Sequence, residues 1–287
     1  MRMNMNTSMA GTDSSDPDPT TTDAFDTAER AMWAGRADAY AASFARLCAY
    51  PVPDLLDAAQ VVAGTYVLDA GTGTGTDALA ALARGARVRA VDADAGMVAA
   101  ARAAGVDASI AVLPELPFPD GEFDVVLGNF VVNHVGRPRA ALAELRRVLK
   151  PGGRLALTLW GARRGAGQEL FGRAFAAAGV VIPANLPRLD LAEDFGRTAD
   201  GFAELLGEAG FTDTEAVELE WDHRTTVDEW WGGPAAGVAT AGLIVTSQEE
   251  GTVVGIRREY ERLAGEFTVG ESKLALPHIA LLACGRA

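Results

Sequence analysis

The sequence predicts an α/β fold: a doubly wound, mostly parallel sheet of seven strands with helices on both faces and a helical cap. Three observations predict it. Short apolar runs alternate with helical segments from about residue 65 to 160. The strand runs are continuously apolar, as in parallel strands covered on both sides. The first of them, "TYVLDAG", runs into the glycine-rich "GTGTGT", the kind of chain found where open parallel sheets bind ligands.

Residues 1–22 are mostly Ser, Thr, Asp, Pro and Met and predict a disordered tail. From 23 to 64 the pattern is helical and is expected to cover a site. In "MWAGRADAYAASFARLCAY", Trp33, Tyr40, Phe44 and Leu47 recur on one face of what reads as a single helix. Pro51 and Pro53 break that run, and "DLLDAAQVV" forms a further short helix. Residues 65–287 then form the main domain. "TYVLDAG" is a strand, "TDALAALARG" a helix stopped by Gly85, and "ARVRAVDA" a second strand. "AGMVAAARAAG" is a helix stopped by Gly105, "ASIAVLP" a weak third strand and "FDVVLGN" a strong fourth. "PRAALAELRRVLK" gathers Ala141, Leu142, Leu145, Val148 and Leu149 on one helical face, and "PGG" turns the chain into a fifth strand, "RLALTLW".

Beyond Trp160 the alternation loosens. A helix and a proline-bearing loop occupy 163–190, and "TADGFAELLGEAG" is a helix capped by Thr198 and stopped by Gly210. "TEAVELEWDH" alternates as a strand, and "KLALPHIALLACG" is the last one. Between them residues 226–266 read as a largely helical cap insertion, long for a connection and therefore suspected of function.

Composition narrows the partners. The 287 residues carry 39 acidic against 25 basic side chains, a net charge of −14, with no basic block. Such a surface repels phosphate backbones and anionic membranes, so neither nucleic acid nor membrane is expected as a partner. No apolar run spans a bilayer and the N-terminal segment has no apolar core, so a cytoplasmic location is expected. Two cysteines, Cys48 and Cys284, sit in apolar company and read as small buried hydrophobes, and no metal site is expected. The oligomeric state is left open.

A dinucleotide fingerprint would place its third glycine at position 76, which holds Thr76. The pattern is instead D-x-G-x-G-x-G, with a second acid, Asp92, at the end of the next strand. "VLDAGTGTG", "VRAVDADAGMV", "LPFPDGEFDVVLGNFVVNHV" and "LKPGGRLALTLW" follow one another in the order of a known family. The chain resembles a class I S-adenosylmethionine (SAM)-dependent methyltransferase of the small-molecule "methyltransferase type 11" sort, with a Rossmann-like sheet. The resemblance covers about residues 65–160.

That resemblance implies SAM as cofactor and S-adenosylhomocysteine as product. It implies a cofactor site of Asp69, Gly71, Thr72, Gly73, Gly75, Asp92, Ala93, Met97, Leu113 and Asn129. Asp69 would serve the methionine end and Asp92 the ribose hydroxyls, since a carboxylate offers two acceptor oxygens. Met97 would pack on the adenine. The family often has an acid just ahead of "LPF", near the adenine amino group; its equivalent here falls at about Val112, with Glu115 the one acid nearby, so backbone around Leu113 and packing would hold the base.

For the acceptor, histidine is the first general base to consider. His134 follows the fourth strand and is a candidate base, with a loop-holding role as the alternative. His223 is a weaker candidate, and His278 reads as a core-edge residue. Tyr40, Phe44, Phe130, Trp230 and Trp231 are expected in the substrate pocket; neighbouring Trp230 and Trp231 cannot share one helical face. The leading expectation is methyl transfer to a small molecule, O-methylation of a secondary metabolite. A non-methylating reaction such as a cyclisation, or a SAM-binding protein without catalysis, are the alternatives.

Overall fold

The computed structural model describes residues 19–183 and 186–287. Four short helices come first: α1 (Pro19–Trp33), α2 (Ala37–Ala42), α3 (Phe44–Cys48) and α4 (Val52–Ala58). Then β1 (Tyr66–Ala70), α5 (Thr76–Ala83), β2 (Arg87–Asp92), α6 (Ala95–Ala103) and β3 (Ala108–Ile110) alternate. The chain continues through β4 (Phe123–Asn129), α7 (Pro138–Val148), β5 (Leu149–Leu159), α8 (Leu170–Ala177) and α9 (Ala199–Glu208). A long strand β6 (Thr212–Thr226) leads to α10 (Val227–Ala235), α11 (Ala239–Thr246) and α12 (Glu250–Ala264), then to β7 (Thr268–Val269) and β8 (Lys273–Arg286).

The sheet order is β3-β2-β1-β4-β5-β8-β6, with two-residue β7 beside β8. The seven expected strands form this path, and β7 is an addition too short to leave a periodic trace. Strands β1 to β5 pair in parallel, while β8 is antiparallel to both β5 and β6. After β1 the chain winds outward to β3 and returns to β4 on the other side of β1. The carboxyl ends of β1 and β4 therefore diverge into opposite crossovers and open a crevice.

Alternate residues feed two apolar layers. Leu68, Val126, Leu155 and Leu157 meet Leu142, Leu145, Phe202 and Leu205 of α7 and α9 on one face. Val67, Val125 and Leu127 meet Leu55, Leu56, Ala78 and Val98 of α4 to α6 on the other. A third cluster joins the cap to α8 and to Leu274 and Leu276 of β8.

Two sequence expectations are corrected. The tail expected over 1–22 lies, for residues 1–18, outside the described residues, but 19–22 belong to α1. Pro19 stands at the helix start, where its missing N–H costs nothing and its fixed φ suits the first turn. The single helix expected through Trp33 and Leu47 is three helices, broken at Gly35 (φ 72°) and at Ser43 (φ −130°, ψ −90°). Ser43 Oγ donates to Ala39 O at 2.6 Å, a local bond that competes with helix propagation.

Candidate functional site

A cavity of about 410 Å³ opens at the carboxyl ends of β1, β2 and β4, beneath α1 to α3 and the cap. Its first half is built by the glycine loop. Gly71 has φ 74°, and a Cβ there would come within 2.5 Å of Val131 Cγ2, so only glycine lets β1 turn against the segment after β4. At Gly73 (φ 54°) the missing Cβ admits Tyr40, whose Cε1 would lie 3.4 Å from it.

Asp92 closes this half. Its Oδ2 accepts from Gly73 N at 2.8 Å and its Oδ1 from Asp94 N at 2.9 Å, so the end of β2 is tied to the loop after β1. Asp94 caps α6 by accepting from Met97 N, and Met97 lines the cavity with Ala93, Val112 and Leu113. Below the loop lie two further acids. Asp69 is fully buried and accepts from Thr72 Oγ1 at 2.6 Å. Asp77 accepts from Asn129 Nδ2 at 3.1 Å. Burial pushes the Asp69 carboxyl up to about 6, and raises Asp77 and Asp92 as well; the neighbouring carboxylates raise Asp69 and Asp77 further. Among the described residues, no basic side chain forms an ion pair with any of the three. The loop thus rests on carboxyls whose ionised form is disfavoured without a positive partner, and a cationic ligand would supply one.

The second half is aromatic. Phe130, at φ 59°, is held in the left-handed region at the end of β4 by donating its N–H to Thr158 O and Oγ1. Its ring stacks on Trp160 with centroids 4.1 Å apart. Phe44 lies 4.9 Å from Trp230, and Phe171 packs on the same indole. Polar groups on this side are few. His134 Nδ1 is 2.7 Å from Glu29 Oε2 on α1, with Trp33 edge-on to the imidazole at 5.2 Å. Asp26 accepts from Gly136 N at 2.7 Å, so α1 is fastened to the loop after β4 at two points. A carboxylate on Nδ1 fixes which nitrogen carries the proton and leaves Nε2 as a proton acceptor.

Of the sequence-predicted residues, Gly71, Gly73, Asp92, Ala93, Met97, Leu113, Asn129, Tyr40, Phe44, Phe130, Trp230 and His134 line this one cavity. Asn129 does so with its amide already committed, donating to Cys48 O at 2.8 Å and accepting from Thr158 Oγ1. Six placements differ from the expectation. Asp69, Thr72 and Gly75 do not line the cavity; they form the underside of the loop, because β1 points the Asp69 side chain into the core. His223 is buried away from the cavity, its ring 4.9 Å from Trp230. Trp231 packs on Tyr260 and under the Arg257 guanidinium and does not line the cavity. His278, read as core-edge, does line the cavity, and Trp160, Gln168 and Glu29 were not foreseen. Both cysteines are free and partly buried, and burial pushes the Cys48 thiol up to about 12. No described helix is long and apolar enough to cross a membrane.

A glycine loop, an acid at the end of β2 and a crevice at the β1/β4 divergence define a nucleoside-cofactor enzyme fold. Comparison with known proteins specifies it. A methyltransferase-domain family model matches residues 68–157. A demethylmenaquinone methyltransferase of Paenarthrobacter aurescens is 34% identical over 172 residues, covering 55% of this chain and 67% of that protein. One of Clavibacter sepedonicus is 46% identical over 101 residues, 33% of this chain and 41% of that protein, so that match spans less than half of the relative. The crystal structure of YcgJ from Bacillus subtilis superposes with a TM-score of 0.51 at 20% identity, over 83% of this chain and 99% of that one. MccD does so with a TM-score of 0.52 at 15% identity, over 83% and 97%. The chain belongs to the class I SAM-dependent methyltransferases.

The site fits the family's cofactor. Asp92 keeps unused lone pairs on both oxygens for a diol, the missing Cβ atoms of Gly71 and Gly73 keep the loop open to a ligand, and the acids below suit an ammonium and a sulfonium.

Proposed function

We propose that this chain transfers a methyl group from SAM to a hydroxyl oxygen of an apolar, aromatic small molecule, in secondary metabolism. The observation that carries the reading is the Glu29–His134 pair, which lines the same cavity as Phe44, Phe130, Trp160 and Trp230. Asp92, Met97 and the backbone at Gly71, Gly73 and Leu113 would hold the cofactor. When bound, SAM supplies an electrophilic methyl on a sulfonium that departs as a neutral thioether. The residues of this chain orient the acceptor and handle its proton. Phe130, Trp160, Phe44 and Trp230 would clamp a flat ring and exclude water. Glu29 would hold the Nδ1 proton of His134, and His134 Nε2 would take the hydroxyl proton as the oxygen becomes nucleophilic.

The name of the two relatives favours a second reading, methylation of a quinone-type ring at carbon. Removing a hydroxyl proton from a hydroquinone also makes a ring carbon nucleophilic, so the same pair would serve.

The test has two stages. Thermal denaturation with SAM, S-adenosylhomocysteine, NAD and NADP should show a rise of several degrees for the two adenosyl compounds only; ligand at about 100 times its Kd contributes roughly 2.7 kcal/mol. Transfer of isotope-labelled methyl from SAM into a panel of phenols and hydroquinones, with S-adenosylhomocysteine formed in step, then separates methylation from a non-methylating reaction. The NMR shift of the new methyl distinguishes oxygen from carbon. Absence of labelled product across the panel with SAM bound counts against methyl transfer.

A further inference from the structure

One turn at the mouth of the cavity presents a charge that the protein leaves unpaired. Arg163 and Arg164 are neighbours in the connection from β5 to α8. Arg163 is engaged by the protein, with its guanidinium 2.6 Å from both Glu218 and Glu220 of β6. Arg164 lines the cavity and is exposed, which places it at the opening. Among the described residues its guanidinium has no hydrogen bond, ion pair or ring contact.

The turn that carries Arg164 is fastened to β8. Gly165 N donates to Gln168 Oε1 at 2.7 Å, and Gly167 N donates to Pro277 O at 3.0 Å. Gln168 Oε1 also accepts from Ile279 N at 2.9 Å, and its Nε2 donates to Ile279 O at 3.1 Å. A Cβ at Gly165 would overlap the Pro277 carbonyl, so this close approach needs glycine. The backbone next to Arg164 is therefore held against Pro277 and His278, while the guanidinium stays available to a ligand.

The other charged groups around the cavity are already occupied. Asp26, Asp92 and Asp94 accept from backbone N–H groups, Glu29 pairs with His134, and Arg30 donates to Thr27 on its own helix. Among the lining residues from Trp160 onward, Arg164 is the one with a permanent charge. The net charge of −14 repels anions at long range, so an unpaired cation at this opening is a local exception. A guanidinium is a planar fork of donors that meets a carboxylate through two parallel hydrogen bonds. At the opening such a pair stays in contact with water and costs little desolvation, while a ring attached to the carboxylate reaches the aromatic lining.

We propose that Arg164 determines specificity for an anionic acceptor, a hydroxylated aromatic acid. Its ring lies among Phe44, Phe130 and Trp160, and its carboxylate pairs with the Arg164 guanidinium at the cavity mouth. The inference rests on the methyl-transfer reading for the ring and the hydroxyl. It adds one charged substituent to the otherwise apolar acceptor, which the aromatic lining alone does not specify.

The test is calorimetric titration of protein saturated with S-adenosylhomocysteine, using matched probes. One pair is 6-hydroxy-2-naphthoate and 6-hydroxy-2-naphthamide; the other is 4-hydroxybenzoate and 4-hydroxybenzamide. Each amide keeps the ring, hydroxyl and shape of its acid and removes the charge. In at least one pair the acid should bind roughly tenfold tighter at low ionic strength, the worth of a charge-assisted pair, and added salt should shrink that ratio. In Arg164→Gln the ratio should fall to one or below, because the remaining field repels anions. Arg164→Lys should keep part of it, and Arg163→Gln, which alters an arginine already paired, should leave it unchanged. Equal binding of acid and amide to the unaltered protein overturns the proposal. So does an acid preference that survives in Arg164→Gln, one that Arg163→Gln abolishes equally, or no binding of any probe at millimolar concentration. Labelled methyl from SAM, supplied to the same probes, reports on the methyl-transfer reading separately. Acid selectivity without labelled product supports the pairing and counts against methyl transfer; labelled product without selectivity does the reverse.

Discussion

Glu29 Oε2 lies 2.7 Å from His134 Nδ1, a bond between residues 105 positions apart that joins α1 to the loop after β4. Glu29 is buried on α1 along with Phe25 and Met32, and its carboxylate pairs with the imidazole. The bond orients the histidine and ties the covering helix to the sheet.

If Glu29 acts through His134, Glu29→Gln should lower kcat about 10- to 100-fold, within the range of general base catalysis. His134→Asn should cost at least as much, and combining the two should add little. Steady-state methyl transfer measures this, and a fully additive double variant would separate the residues. Nitrogen-15 shifts of the His134 ring should show its tautomer preference weakened in Glu29→Gln, which a purely structural role for Glu29 would not require.

Gly71→Ala should destabilise the protein by roughly 2 kcal/mol or more, because a Cβ at φ 74° is strained and also meets Val131 Cγ2. Adding Val131→Ala should recover the steric part and leave the backbone part. Urea denaturation of the three variants tests the division; no recovery would mean that backbone strain dominates.

The buried histidines make stability depend on pH in a definite direction. His223 and His278 are pushed down to about 4, whereas an unfolded histidine titrates near 6.5. Between those values the unfolded chain binds more protons, so their contribution is complete above about 6.5 and is lost as pH falls toward 4. Asp69, raised to about 6, works oppositely: its contribution is present below the ordinary carboxylate range and lost as pH rises through 6. Against the unaltered protein, His278→Phe should therefore lose less stability on acidification from pH 6.5 to 4. Asp69→Asn should lose less on going from pH 4 to 7. Denaturation midpoints across that range measure both.

The same acids predict that cofactor affinity depends on pH. Ionising Asp69 places negative charge under the loop, so SAM should bind more tightly as pH rises through about 6. S-adenosylhomocysteine lacks the sulfonium charge and should show a shallower dependence. Asp92→Asn should weaken binding of both while leaving the loop glycines in place. Calorimetry in buffers of different ionisation enthalpy reads the proton release directly, and equal dependence for the two ligands would remove the role given to the acids.

What the sequence disclosed divides by distance along the chain. Asp92, Met97 and Leu113 were legible because strand, turn and helix start are local, and local order puts them at the ends of adjacent parallel strands. Tyr40, Phe44 and Leu47 were seen as a helical face; the helix is broken, yet all three line the cavity, so their spacing reports the cavity wall more than a continuous helix. Glu29 left no trace, since an acid on a polar helix reads as solvated until His134 is brought to it. Asp69 was misplaced for the converse reason. A motif gives its position in the loop, but the two-residue alternation of β1 decides that its side chain points into the core. His278 was underrated because "LALPHIALL" conveys burial and says nothing of the cavity on the other side of the strand.

The long β6–β8 pairing, in register from Glu215–Cys284 to Thr226–Lys273, carries α10 to α12 between its strands as one excursion. The cofactor half of the cavity lies within the segment that matches the family model, while α1 to α3, Trp160, Phe171, Trp230 and His278 fall outside it. Phe130 and His134 lie inside that segment, while the rest of the wall around the acceptor is contributed from outside it. Exchanging residues 227–264 between relatives would change one side of the acceptor wall, that of Trp230 and Ala239–Ala241, while the loop glycines and Asp92 stay in place, a route by which one ancestral fold could diversify its products in few genetic steps.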